Sequence, residues 1–137
     1  MDLVLPKKKT LLGADLRRIL GGGKVKDDAS TLRAYAVDAS IYRITPQAVV
    51  FPENERDIEQ VLGFAFERSI PLTTRAAGTN LTGSAIGSGI ILDVSHLNRI
   101  IELNREEKLV RIQPGIVLNE LNKQLAPSGL MLSLIHI

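Results

Sequence analysis

The sequence predicts an α+β fold: a small βαβ-containing subdomain followed by the start of a mostly antiparallel second one. Strand, helix and strand patterns succeed one another across residues 48–74. Two short apolar runs, 100–103 and 108–113, then face each other across the polar turn 104–107, which is a hairpin signal. Size sets the scale, because 137 residues support one modest core and fall short of two full domains.

The first element is a helix over 10–20, where Leu11, Leu12, Leu16, Ile19 and Leu20 recur at helical spacing. Gly21-Gly22-Gly23 follows a helix and does not lead from a strand, so it reads as a terminator and not as a nucleotide loop. A short helix over 27–35 comes next, with Asp27, Asp28 or Ser30 as its cap. Ala48-Val49-Val50-Phe51 is a buried strand stopped by Pro52. Asn54 caps the helix after it, with Glu55 and Asp57 in the first turn, where the helix dipole favours carboxylates. Ile58, Val61, Leu62, Ala65 and Phe66 line one face of that helix. Ile70 to Thr74 is the returning strand, with Pro71 near its start, where a missing N–H does least harm. Strand, helix and strand of these lengths favour a right-handed parallel crossover. Ile90 to Asp93 is a third strand, and Pro114-Gly115 ends the hairpin. Val117, Leu118, Leu121 and Leu125 mark a last helix that stops near Pro127 and Gly129.

Composition narrows the function. With 45% apolar and 23% charged residues and few aromatics, the chain reads as soluble with an aliphatic core. A net charge of +2 is too small to argue for nucleic acid. Lys7-Lys8-Lys9 has no aromatic residues interleaved for base stacking and reads as a solvated tail. The chain has no cysteine, which excludes disulfides, thiolate zinc sites and iron–sulfur clusters bound by it. No apolar run reaches membrane-spanning length, Leu3-Val4-Leu5 is too short for a secretory core, and cytoplasm is the expected location.

The stretch richest in chemistry is Arg75-Ala76-Ala77-Gly78-Thr79-Asn80-Leu81-Thr82-Gly83, which lies between two strands and runs on through Gly87 and Gly89. Glycine and hydroxyl residues at this density let consecutive backbone amides line a concavity, and an anion such as a phosphate ester is the ligand such a concavity takes. Gly78 to Gly83 has the glycine skeleton of a P-loop. However, Ser84-Ala85 stands where Lys and Ser or Thr would be, so the β- and γ-phosphates would lack their cation. No helix pattern follows directly, which argues against a Rossmann site. His96 and His136 stand alone, and no serine sits in a nucleophile elbow.

These residues resemble the FAD-binding domain of the vanillyl-alcohol oxidase superfamily, the PCMH-type FAD-binding fold. Within it, they resemble the D-lactate dehydrogenase and glycolate oxidase branch of FAD-linked 2-hydroxy-acid oxidoreductases. The likeness runs in order through Tyr35-Ala36-Val37-Asp38-Ala39-Ser40, Pro46 to Pro52, Ile70 to Arg75, Gly78 to Gly83, Ile91-Leu92-Asp93 and Val110 to Gly115. One departure is Ala76, where the family signature has Gly; Ala tolerates little positive φ, so an ordinary conformation is expected there.

The resemblance implies that the loop wraps the FAD diphosphate, with Arg75, Ala76, Ala77, Gly78, Thr79, Asn80, Leu81 and Gly83 about it. It puts Pro52 near the adenosine half and Gln113, Pro114 and Gly115 near the flavin end. Some members tether the flavin through a histidine inside this loop; residues 75–83 contain none, so non-covalent FAD is the inference. The implied reaction is hydride transfer from a 2-hydroxy acid such as D-lactate or glycolate to FAD. Carboxylate binding and proton abstraction belong to a later cap domain in that family, so no residue here is nominated as catalytic. The electron acceptor stays unassigned. A non-catalytic nucleotide-binding or interaction module that kept the cradle is the alternative.

Residues 1–29 read as a helical lead-in, 30–132 as an incomplete FAD-binding domain and 133–137 as a tail unlike the family. The sequence is therefore expected to be an N-terminal fragment that is inactive alone and binds FAD weakly.

Overall fold

The structure, a computed structural model, describes residues 11–135. Thr10, Lys7-Lys8-Lys9, Leu3-Val4-Leu5 and His136 lie outside the described residues. The chain divides into two compact units, Met1–Asp93 and Val94–Ile137.

The first unit is built on a four-stranded sheet of β1 (Val25–Lys26), β2 (Ala48–Val50), β3 (Leu72–Arg75) and β4 (Ile90–Asp93), in the order β1-β2-β4-β3. β4 is the centre, parallel to β2 on one side and to β3 on the other. Its residues Ile90, Ile91 and Leu92, like Val49 and Val50 of β2, are almost wholly shielded from water. That burial explains why both strands are continuous aliphatic runs and not alternating ones. Each such side chain contributes about 1.5–3 kcal/mol by leaving water.

The expected parallel relation between the strands flanking the long helix therefore holds, but the two are not neighbours. β4 lies between them, paired with both through Val50↔Leu92 and Thr74↔Leu92. β1 was not foreseen. Two residues carry too little pattern to register, yet Val25↔Val50 and Lys26↔Val49 close the β2 edge antiparallel.

Helix α1 (Leu11–Leu20) packs against β1 and α3 (Glu55–Glu67) through buried Leu12, Leu16 and Leu20. Leu11 and Ile19, assigned to the same face by spacing, are exposed. The glycines after α1 form a 3-10 turn over Gly22–Lys24. Helix α2 (Ala29–Ala34) starts at Asp28, whose carboxylate accepts from the Thr31 amide at 2.9 Å.

Asn54 caps α3 as expected, accepting from Asp57 N at 3.0 Å. Buried Asp57 then meets Lys24 Nζ with both oxygens, at 2.9 and 2.8 Å, and takes the Glu53 amide at 2.8 Å. This pins α3 to the turn that leads into β1. The buried stripe of α3 is Asp57, Val61, Phe64 and Ala65. Leu62 and Phe66 are exposed instead, and Arg68 lies 4.0 Å over the Phe64 ring.

The second unit holds the hairpin of β5 (Ile100–Asn104) and β6 (Leu109–Ile112), then α4 (Leu118–Leu125) and a 3-10 turn, Ala126–Ser128. Asn104 Oδ1 accepts from the amides of Glu106 and Glu107, which folds the turn. Lys108 sits in that turn at φ 55° and not in the strand. Leu121 and Leu125 are the buried side of α4, while Val117 is exposed. The Asn122 side chain grips the Leu132 backbone with two hydrogen bonds, of 3.0 and 2.8 Å. Among the described residues no helix is long and apolar enough to cross a membrane.

Candidate functional site

The connection from β3 to β4, residues 76–89, joins two adjacent parallel strands without a helix. It departs from the C-terminal edge of the sheet, where Arg75 and Asp93 are in register. Pro52 follows β2 at the same edge and is buried.

The start of this loop follows its glycines. Gly78 has φ 67° and Gly83 φ 76°, the left-handed region that side chains disfavour. A Cβ at 83 would also come within 2.9 Å of the Tyr42 ring. The end of the loop is shaped by close approach. A Cβ at 87 would stand 2.3 Å from Thr73 Oγ1, and one at 89 would collide with the Pro71 carbonyl. Ala76 has no positive φ, as its departure from glycine requires.

Four contacts hold the loop, and all reach the segment 37–39. The Arg75 guanidinium donates to Val37 O at 2.7 Å and lies 5.0 Å over the Tyr35 ring. The Ala39 amide donates to Gly78 O at 3.1 Å. Asp38 Oδ2 accepts from Asn80 Nδ2 at 2.9 Å and from the Ala85 amide at 3.4 Å. Its other oxygen takes the Ser40 amide at 2.9 Å. Hydrogen bonding from the Ser40 hydroxyl, then from the Ser40 amide and Asn80, holds the Asp38 carboxyl down to about 2.

Among the described residues, none accepts a hydrogen bond from the backbone amides of 76–83. Ala76, Ala77, Thr79, Leu81 and Thr82 are exposed. An unpaired donor in an ordered loop is an opening for a ligand acceptor. Backbone donors of this kind are compatible with an ester diphosphate, and Gly78 and Gly83 turn the loop at positive φ.

Arg75 ends β3, and Ala76, Ala77, Gly78, Thr79, Asn80, Leu81 and Gly83 follow it in one loop. Gln113, Pro114 and Gly115 belong to the second unit. There, Gln113 brackets Arg99, donating from its amide at 2.9 Å and accepting through Oε1 at 3.0 Å. Gly115 donates to Leu97 O at 2.8 Å and approaches Val94 so closely that a Cβ would sit 2.2 Å from its carbonyl. Exposed His96 lies beyond β4 and outside the loop. No group of acidic, histidine or cysteine side chains among the described residues could hold a metal ion.

Asp38 is the loop's main anchor, and reasoning from sequence did not single it out. The available signal was local: Asp-x-Ser followed by an irregular run often forms a side-chain turn.

Residues 46–135 match the model of the FAD binding domain family. The chain is 40% identical over 112 residues to a D-2-hydroxyglutarate dehydrogenase of Pseudomonas putida, covering 79% of this chain and 11% of that protein. It is 32% identical over 108 residues to glycolate oxidase subunit GlcD of Bacillus subtilis, covering 76% of this chain and 23% of that one. It thus spans about a tenth to a quarter of the length of these relatives. Among solved structures, an alkyldihydroxyacetonephosphate synthase aligns with a TM-score of 0.76 at 21% identity, over 94% of this chain and 27% of that one. A p-cresol methylhydroxylase with substrate bound aligns with a TM-score of 0.75 at 21% identity, over 93% of this chain and 26% of that one. At these identities the likeness concerns the fold, which is the PCMH type.

Proposed function

Because this chain belongs to the FAD binding domain family, we propose that it is the diphosphate-holding part of a flavoenzyme that oxidises a 2-hydroxy acid. The observation that carries the proposal is the run of acceptor-free amides at 76–83, curved by Gly78 and Gly83 at positive φ. Fully charged ester phosphates need donors fixed in place, and backbone amides provide them without adding side-chain disorder. Names of the relatives point to the substrate class: 2-hydroxyglutarate, glycolate and lactate are all 2-hydroxy acids.

Residues 76–83 would hold the diphosphate, with Pro52 toward the adenosine and Gln113 to Gly115 toward the flavin. The loop contains no histidine to tether a flavin, which supports non-covalent binding. When bound, FAD supplies the two-electron chemistry by accepting a hydride from the carbon that carries the hydroxyl. Arg75, whose guanidinium donates to Val37 O and lies over the Tyr35 ring, braces the start of the loop. A cytoplasmic location and the absence of a nucleic-acid partner belong to the same proposal, with the electron acceptor unassigned.

The test is purification of the full-length protein that carries this segment, followed by absorbance at the flavin bands and then anaerobic addition of D-2-hydroxyglutarate, D-lactate or glycolate. Flavin bands that bleach with one of these acids are expected, and Gly83→Asp is expected to abolish flavin uptake. A protein without flavin, or one whose flavin none of these acids reduces, would overturn the proposal.

A further inference from the structure

We propose that Asp38 is a positioning residue for the anion-binding loop, fixing the conformation in which the amides of 76–83 have no protein acceptor. The inference rests on the FAD reading above and deepens it. It names a residue that does not itself touch the cofactor.

Little else holds the loop. Residues 76–83 contribute no sheet hydrogen bonds, and among the described residues their backbone amides reach no acceptor. Glycine at two positions adds conformational freedom to the unbound chain. Left alone, such a loop would sample many conformations, and binding would have to select one. Two of the contacts that prevent this end on one carboxylate: Asn80 Nδ2 within the amide run and Ala85 N at its exit, both on Asp38 Oδ2. Asp38 is itself fixed through Oδ1 by the Ser40 amide, so its own segment turns back on it. The neighbouring Ala39 amide adds the third contact, to Gly78 O. Asp38 therefore acts as a hub, joining two points of the loop to a segment some forty residues upstream in the chain.

A carboxylate suits this role better than an amide. It offers only acceptors, and what surrounds it are donors: the Ser40, Asn80 and Ala85 N–H groups and the Ser40 hydroxyl. An asparagine at 38 would turn one N–H toward another donor.

Three variants test the proposal in the full protein: Asp38→Ala, Asn80→Ala, and the double variant Asp38→Asn with Asn80→Asp, which reverses donor and acceptor. FAD Kd and release rate would be read from flavin fluorescence. Hydrogen exchange of residues 76–85 would be followed without FAD, with β2 and β4 as internal reference. For Asp38→Ala, FAD affinity falls about 10-fold or more. Exchange of 76–85 quickens while that of β2 and β4 does not. Asn80→Ala gives the same pattern to a smaller degree and leaves Asp38 in place, so it serves if Asp38→Ala folds poorly. The double variant recovers part of the affinity, which a merely structural loss would not.

Unchanged loop exchange in Asp38→Ala, or FAD affinity within about twofold of wild type, overturns the inference while leaving the functional reading intact. A wild-type protein that takes up no FAD overturns both.

Discussion

Tyr35 donates its hydroxyl to Asp93 Oδ2 at 2.5 Å, joining the segment after α2 to the last residue of the central strand. Burial, then the hydrogen bond and the charge of Asp93, push the Tyr35 hydroxyl well above the ordinary tyrosine range. The Arg75 guanidinium over the same ring and Phe51 edge-on at 5.9 Å complete the contact. Tyr35→Phe keeps the ring contacts and removes only the hydroxyl. The expected loss is about 1–2 kcal/mol of stability, measured by denaturant unfolding with an unchanged m-value.

Gly89→Ala is expected to be costlier than a surface glycine change. The added Cβ would stand 1.9 Å from Pro71 O, the same carbonyl that accepts from Ile90 N to open the β3–β4 ladder. Backbone must move to relieve that overlap, so a loss of about 1–3 kcal/mol is expected. Gly22→Ala, with open space around it, is the control and is expected to change stability by less than about 0.5 kcal/mol. Equal effects of the two changes would mean that the close approach has no cost.

Acid is expected to loosen the loop before it unfolds the sheet. Asp38 is held at about 2 in the fold, below the ordinary value of roughly 3.9. A lowered carboxyl pKa contributes stability that is complete above the unfolded value and is lost as pH falls toward the folded one. The window therefore runs from about pH 4 down to about pH 2. For Asp57, burial alone would raise the carboxyl, but hydrogen bonding from Lys24 and the Glu53 amide leaves it lowered, so it adds to the same loss. Lys24 is raised, chiefly by its hydrogen bond to Asp57, and its contribution disappears only at strongly alkaline pH. Thermal unfolding followed across pH 2–7 should be flat above about pH 5. Asp38→Asn should flatten the acid limb.

Exposure separates two large apolar residues, one on the long helix and one on the central strand. Phe66 is 87% exposed, whereas Ile91 of the central strand is fully buried. Phe66→Ala is expected to change stability by less than about 0.5 kcal/mol, and Ile91→Ala to cost about 2–5 kcal/mol. A comparable cost for both would place Phe66 in a contact of its own.

Much of this arrangement was legible from residues alone where composition and position agreed. Ile90 to Asp93 forms a strand because three aliphatic residues follow a glycine that fits against Pro71, and both signals lie within five positions. Asn54 and Asp28 set their helix starts through short-range hydrogen bonds, which a local pattern can reveal. The position of β4 between β2 and β3 was not legible, since hydrophobic runs carry no record of their neighbours. For the same reason Leu62 and Phe66 could not be told from Val61 and Phe64. Which apolar residues face inward depends on what α3 packs against, α1 among them, and the spacing within α3 does not carry that. In the candidate site the glycines announced the cradle, while Asp38, which braces it, depends on partners more than forty positions away.

The central place of β4 also bears on how this chain is made. A nascent chain that has emerged only through Ser88 contains β2 and β3 but not the strand that pairs with both. Their facing edges have no partner strand until Ile90 to Asp93 leave the ribosome, so that part of the sheet waits on this segment. Until then apolar β2 and the more polar β3 wait with unpaired edges, open to other chains and to chaperones alike.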